Sequence, residues 1–387
     1  MAYRLDPRET LPDGLRRIVT EQLVEAEDRL RTAHGEERDK AVHEARKATK
    51  TSRAVLRLVR DEIGSKTYSR ENNALRDAAR RLSAPRDAAV LVTAVDRLGQ
   101  QVPLARRSLA PLSAVLVQRR REATTRVLDD EGALAASAGE LAEIRARIGG
   151  LEIETDRFTA LEDGLSRTYS RGRDAFADAR KDPTDERLHG ARKRVKDLWY
   201  HLRVLKPIWP GPMGELIDAT DRLGDLLGED HDLAVLADTV RGLAAEGADG
   251  GAGETLLTLA GNRRAELRAE LWPLGRRVYA DKPKPFVRRM RVLYRAWREE
   301  TVWSISAESA ATLRELLEAR QSGSSIDQRR LRRWSIEERR LRERLRRQGI
   351  RIGDLDAHLP DRNGGFGASD FDALVEHGRV RIAEPER

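Results

Sequence analysis

The sequence predicts an all-α protein of two four-helix-bundle-like halves, related by an internal pseudo-two-fold repeat and followed by a mostly helical C-terminal extension. Three observations carry this prediction: helical spacing of apolar residues, a charge-rich composition, and four sequence blocks that occur twice in the same order. Charged residues make up 36% of the 387 residues and aromatic residues only 4%, which is typical of long amphipathic helices. Segments with a two-residue period are scarce, and the best of them, 151–154, is short.

The first helix is predicted from about residue 11 to residue 31, because its apolar residues recur at steps of three and four. Its opening pattern, Leu-x-Asp-Gly-Leu-x-Arg, begins at Leu11 and occurs again from Leu161. A repeat of this kind indicates that one structural unit is present twice.

The second helix of each half carries the most distinctive pattern in the chain. From His43 and again from His189 the sequence reads His-x-x-Arg-Lys-x-x-Lys, with an arginine fourteen residues after the histidine. At 3.6 residues per turn these positions form one basic stripe, opposite an apolar face. The stripe residues of the two copies are His43, Arg46, Lys47, Lys50, Arg53 and Arg57, and His189, Arg192, Lys193, Lys196 and Arg203.

A stripe of like charges is unfavourable in a free helix, because cations one turn apart repel each other. Glu44 and Asp197 lie off the stripe, so we expect nothing on either helix to neutralise it. One such helix could simply be a solvated basic face. Two matching copies favour a shared binding surface for a polyanion, and the formal net charge of +8 favours the same class of partner.

Two further blocks complete the repeat. Segment 82–91 matches 227–236, with Pro85 predicted to kink or restart a helix in the first copy. At the next position Arg86 is a candidate binding residue, which the second copy replaces by His231. The other block, in which 118–122 matches 262–266, supplies four further candidate cations. Each of them could instead pair with Glu122 or Glu266. These candidates are Arg119, Arg120, Arg263 and Arg264.

The four blocks divide the chain into a first half at 1–150, a second half at 151–300 and an extension at 301–387. In the extension, 308–320 and 326–348 are predicted as helices and 363–367 as a glycine-rich turn. The sequence assigns this extension no function, although it is a candidate surface for a protein partner.

Several classes of site and location are disfavoured. The chain has no cysteine, which excludes disulfides and thiolate metal sites. It shows no secretory signal and no apolar run long enough for a membrane span, so we expect a cytoplasmic protein. The stripe histidines have no second histidine or carboxylate beside them on the stripe, so we predict no metal site, no cofactor and no catalytic residue.

With these features the chain resembles the CHAD family, the conserved-histidine α-helical domain, over about residues 5–300. The resemblance rests on the histidines that head the basic helices, the Arg86-Asp87 block and the repeat. It implies two helical bundles related by pseudo-two-fold symmetry that bind inorganic polyphosphate along a basic groove or pore. Family members are often found with polyphosphate granules or beside triphosphatase-type domains. Where the family has a second arginine, this chain has His231, which puts the contribution of that position in doubt.

Three functions therefore compete. The leading hypothesis is non-enzymatic binding of polyphosphate, serving to target the protein to granules or to organise them. The alternatives are a nucleic-acid-binding helical protein, with a nucleoid location, and an accessory to a polyphosphate-processing enzyme. A flexible chain of phosphates needs spaced cations and no stacking platform, which agrees with the low aromatic content.

Overall fold

The computed structural model describes residues 3–7, 9–35, 37–247, 252–301 and 303–306, together with short stretches further on. Those stretches are 310–311, 314–315, 318, 371–372, 375–376 and 380–383. The described part of the chain is almost entirely helical, which confirms the all-α prediction. The helices are α1 Leu11–Thr32, α2 Glu37–Leu58, α3 Arg60–Ile63, α4 Ser65–Arg81, α5 Ser83–Gln101, α6 Arg106–Thr124, α7 Ala133–Gly149, α8 Thr159–Lys181, α9 Asp185–Leu205, α10 Pro210–Ala245, α11 Gly253–Val278 and α12 Pro283–Thr301.

Short helical turns and one small sheet complete the fold. Pro103–Ala105 and Lys206–Ile208 are 3₁₀ turns, and Thr125–Asp130 is a π-helical turn between α6 and α7. Strand β1, Trp303–Ser306, pairs in parallel with β2, Val380–Ala383. The sequence did not predict these strands, because four residues are too few to show an alternating pattern.

Most of the predicted features of the extension cannot be compared with the structure. The predicted helix 308–320 is helical at the few positions that are described. The predicted helix 326–348 and the turn 363–367 lie outside the described residues.

The helices pack in the same order in the two halves. In the first half α1 packs against α2 and α7, and α5 against α6; in the second α8 packs against α9 and α12, and α10 against α11. The apolar face of α2 is buried, as its spacing predicts. The buried residues of this face are Val42, Ala45, Ala48, Val55, Leu56 and Val59. The boundaries at residues 150 and 300 remain predictions.

The two halves meet through their basic helices. Helix α2 packs against α8 and α9, and α5 packs against α10. At the contact of α2 with α9, Nε2 of the fully buried His201 lies 2.8 Å from the carbonyl oxygen of Ala54. The C-terminal parts of α2 and α9 are therefore held side by side.

The segment after the basic helix differs between the halves. In the first half α4 ends at Arg81, and α5 begins at Ser83, in agreement with the predicted effect of Pro85. In the second half α10 is one uninterrupted helix of 36 residues. Asp230 stands there at the position of Pro85 and keeps the backbone N–H that proline lacks. Within the described residues, no helix combines the length and apolar character needed to cross a bilayer.

Gly164 of α8 permits the closest approach between the halves. A Cβ atom at this position would collide with the backbone carbonyl of Leu58 at the end of α2. Because backbone atoms cannot rotate away as a flexible side chain can, we expect Gly164→Ala to lower the free energy of unfolding by about 2–3 kcal/mol.

Urea or thermal denaturation followed by circular dichroism measures this change. Gly261→Ala in α11 is the matched control, since a Cβ atom there meets nothing within 4 Å. The control should raise stability by about 0.5–1 kcal/mol, the usual gain of alanine over glycine in a helix. Equal effects of the two substitutions would contradict a close contact at Gly164.

Candidate anion-binding site

Lys50 lies at the centre of a group of cations from three helices. Arg46 is on the same helix, Arg86 is on α5, and Arg192 and Lys196 are on α9. Water reaches the exposed Lys50 side chain, yet the surrounding protein desolvates it. This desolvation, reinforced by the four neighbouring positive charges, lowers the pKa of Lys50 to about 8. We call these five residues the basic cluster.

Two members of the basic cluster form no ion pair within the described part of the chain. Within the described residues, Lys50 and Arg86 make no hydrogen bond and no ion pair. Arg86 also lines a small cavity of about 100 Å³ between α5 and α10, together with Arg97, Glu229 and Asp232. Positive charge is thus only partly balanced in the basic cluster, and a bound anion would relieve the remaining repulsion.

The other stripe residues of α2 are tied to the protein. Arg46 is mostly buried, donates a 2.8 Å hydrogen bond to the carbonyl oxygen of Ala79 and lies 3.8 Å from Asp87. Arg53 donates to Oδ1 of Asn72 over 3.0 Å. Burial lowers the pKa of both guanidinium groups. Arg46 therefore reaches the basic cluster in a fixed orientation.

The expectation that nothing on the basic helices neutralises the stripe is wrong at two places. Nζ of Lys47 lies 3.2 Å from Oε2 of Glu44, since residues three apart are neighbours on a helix. Asp197 of α9 reaches across to α2, where its Oδ1 lies 2.7 Å from Nη1 of Arg57. Its Oδ2 lies 3.3 Å from Nη1 of Arg194. The spacing within one helix cannot show a pair that forms between two helices.

Two residues of the α9 stripe pair with carboxylates of α10. Nζ of Lys196 lies 2.9 Å from an oxygen of Asp221 and 2.9 Å from an oxygen of Asp225, both on α10. Arg192 lies 3.9 Å from Asp232. Lys193 is exposed and has no ion pair within the described part of the chain.

Arg203, the last residue of the α9 stripe, packs against two aromatic rings. Its guanidinium lies 4.3 Å from the ring centre of Tyr3 and 4.7 Å from that of Trp199. Stacking of this kind stabilises the cation without a carboxylate. The structure therefore places Arg57 and Arg203, which occupy matched positions, in contacts that hold the protein together.

Two glycines of α10 make room for the α9 cations. A Cβ atom at Gly224 would lie 2.7 Å from Cε of Lys196, and one at Gly228 would lie 3.3 Å from Nε of Arg192. The two glycines are one turn apart, so they form a smooth strip of backbone against which both long side chains lie. This strip determines where the charged ends of Lys196 and Arg192 are held.

The two stripe histidines differ in their surroundings. His43 is exposed, but the surrounding protein partly desolvates its ring. This desolvation, together with the nearby charge of Arg86, lowers the pKa of His43. His189 stacks on His231 with ring centres 4.0 Å apart, and its Nδ1 is buried without a hydrogen-bond partner. Burial and the His231 ring lower the pKa of His189 to about 4. Sequence reasoning missed this pair because the two histidines lie on different helices.

The four candidate arginines on α6 and α11 are engaged in ion pairs. Arg263 binds Glu229 at 2.7 Å and Glu266 at 2.9 Å. The remaining pairs are Arg264 with Asp230 and Asp185, Arg119 with Glu246, and Arg120 with Asp39. Of the predicted pairs with Glu122 or Glu266, only Arg263 with Glu266 is found in the described part of the chain, and the other partners are carboxylates that the sequence pattern did not indicate. Among the described residues, no three histidine, aspartate or glutamate side chains form a group that could hold a metal ion.

Comparisons with known proteins agree with this architecture. The sequence model of the CHAD domain matches residues 17–241. The solved structure of PptA from Streptomyces chartreusis is similar with a TM-score of 0.51 and 16% sequence identity, over 70% of this chain and 100% of that one. At this identity the likeness concerns the fold alone. No curated protein matches the chain.

Proposed function

The chain belongs to the CHAD domain family, and on this premise we propose that it binds inorganic polyphosphate at the basic cluster without processing it. The observation that carries the proposal is the position of Lys50, which has cations of both halves around it and no ion pair among the described residues. A chain of phosphates brings several negative charges to such a place at once. Arginines can bind its oxygens in a forked geometry, and lysines act as point charges.

A competition experiment tests which polyanion the cluster prefers. Long-chain polyphosphate should displace bound duplex DNA, whereas DNA at the same phosphate concentration should not displace polyphosphate. Affinity should also fall steeply with salt, because each neutralised phosphate releases counterions. Displacement of polyphosphate by DNA would favour the nucleic-acid-binding alternative.

The proposal also states that polyphosphate is bound and not shortened, and a separate experiment tests this. We expect gel electrophoresis to show an unchanged chain length, and no phosphate to be released, after prolonged incubation with and without Mg²⁺. Chain shortening that depends on the protein would contradict this part of the proposal. Targeting to polyphosphate granules is a further expectation, which localisation of the full chain in cells would test.

The lowered pKa of Lys50 predicts how affinity depends on pH. Below pH 8 the free protein already carries the proton, so binding should be insensitive to pH. Above pH 8 free Lys50 is neutral, while the bound polyanion favours the charged form and raises its pKa. Binding must then take up a proton, so affinity should fall by up to about tenfold per pH unit between the free and bound pKa values.

Titration calorimetry between pH 7 and pH 9.5, in buffers of different ionisation enthalpy, measures both the affinity and the proton uptake. Lys50→Arg is the matched control, because a guanidinium stays charged throughout this range. We expect this variant to bind with little change between pH 7 and pH 9.5. The same decline in the variant would show that another group is responsible.

A further inference from the structure

The matched lysines Lys50 and Lys196 have opposite electrostatic surroundings. Lys50 is exposed and, within the described residues, has no ion pair. Lys196 is 30% exposed in its side chain, and its ammonium group lies between Asp221 and Asp225 at 2.9 Å from each. One lysine is thus open to an anion, and the other already holds two carboxylates.

This difference can be traced to a reversal of charge in the repeat. The register that aligns segments 82–91 and 227–236 can be continued backwards into α4 and α10, where residues 72–81 and 217–226 share one identical residue. It pairs Arg76 with Asp221 and Arg80 with Asp225. In the first half the two arginines lie near Asp77, at 3.0 and 4.0 Å, and no carboxylate of α4 reaches Lys50. The carboxylates that hold Lys196 therefore have no equivalent at Lys50 in the described part of the chain.

The lysine–carboxylate contact is built into the packing. The stem of Lys196 lies against the bare backbone at Gly224, where a Cβ atom would be 2.7 Å from its Cε. Its ammonium group is also 5.1 Å from the ring centre of Trp199. The aspartate side chains are 41% and 65% exposed, so water can replace the lysine around them. The contact is well positioned, yet an incoming anion can displace it.

We propose that Asp221 and Asp225 act as internal counter-ions that reserve Lys196 for polyphosphate chains long enough to bind the rest of the basic cluster at the same time. This inference rests on the proposed function and adds a preference for chain length. A short anion that binds Lys196 must displace two carboxylates held in place by the fold, and it gains few contacts in return.

A long chain does not face the same competition. Once it is bound to Lys50, Arg86 and Arg192, its next phosphates stay near Lys196, because Lys196 follows Arg192 by one turn on α9. Tethered phosphates have a high effective concentration. They can therefore displace the aspartates where free phosphates cannot, so in the wild-type protein Lys196 contributes to the binding of long chains and not of short ones.

The double variant Asp221→Asn/Asp225→Asn tests this inference, with tripolyphosphate and long-chain polyphosphate as probes. We expect affinity for tripolyphosphate to rise about tenfold, since Lys196 becomes a free cation, and affinity for the long chain to rise at least as much, since it no longer has to displace the aspartates. The matched control is Asp238→Asn/Glu270→Gln, which makes the same change in net charge. It releases Arg241 and Arg222 from exposed ion pairs outside the basic cluster. The control should raise either affinity by less than about threefold.

A double-mutant cycle with Lys196→Gln separates this effect from general electrostatics. In the wild-type background the substitution should change tripolyphosphate affinity less than twofold, because Lys196 is already occupied. In the Asp221→Asn/Asp225→Asn background it should abolish the tenfold gain. Equal losses of tripolyphosphate affinity in both backgrounds, or a double variant that raises this affinity no more than the control does, would overturn the inference while leaving polyphosphate binding intact. A wild-type protein that binds no polyphosphate of any length would overturn both proposals.

Discussion

Lys50→Glu is expected to weaken the binding of long-chain polyphosphate by about 100-fold at low salt. The substitution removes the cation on which the charges of Arg46, Arg86, Arg192 and Lys196 converge. It also supplies a carboxylate that can pair with these neighbours and so competes with phosphate for them. The loss should shrink as the salt concentration rises, because part of it comes from long-range attraction.

Fluorescence anisotropy or calorimetry measures the affinity, and circular dichroism should show unchanged helix content. Lys284→Glu is the matched control. Lys284 is an exposed lysine of α12 that lines a separate groove with Arg288 and Val292. The Lys284→Glu substitution makes the same change in net charge as Lys50→Glu, and we expect it to weaken binding less than about threefold. Equal losses in the two variants would show that net charge, and not the basic cluster, determines affinity.

Asp197→Ala is expected to lower the free energy of unfolding by about 2–3 kcal/mol. The carboxylate of Asp197 and the guanidinium of Arg57 are each only 17% exposed and lie 2.7 Å apart across the contact between the halves. Removing one partner of such a pair leaves a mostly buried charge without compensation. Arg57 would then face the His201 ring and Arg53 with no carboxylate beside it.

Chemical denaturation of the full chain measures this change. Asp238→Ala is the control, since Asp238 is an exposed aspartate in a helix and pairs with Arg241 three residues later. Exposed pairs of this kind contribute little, so the control should change stability by less than about 0.5 kcal/mol. If both variants lose the same stability, Asp197 is an ordinary surface residue and does not join the halves.

The sequence predicted the helical fold and the faces of the basic helices well, because both depend on local spacing. The basic stripe of α2 and its buried opposite face follow directly from a period of 3.6 residues. The restart of the helix at Ser83 follows from the chemistry of Pro85. These are properties of one segment at a time.

The partners of the charged residues could not be predicted in the same way. Asp197 approaches Arg57, Asp221 approaches Lys196, and His231 approaches His189 only because separate helices pack together. Helical spacing shows which residues share a face, but it does not show which helix that face meets. The charge difference between α4 and α10 was not evident either, because segments 72–81 and 217–226 share only one identical residue in the register of the repeat.

The contrast between α10 and the broken pair α4 and α5 has a mechanical consequence. An uninterrupted helix of 36 residues, about 54 Å long, is a stiff rod, whereas the first half has a joint at Leu82 between two shorter helices. We expect the rod to keep its shape when a ligand arrives and the jointed side to bend around it. The two sides would then differ in stiffness, with the rigid side at α10.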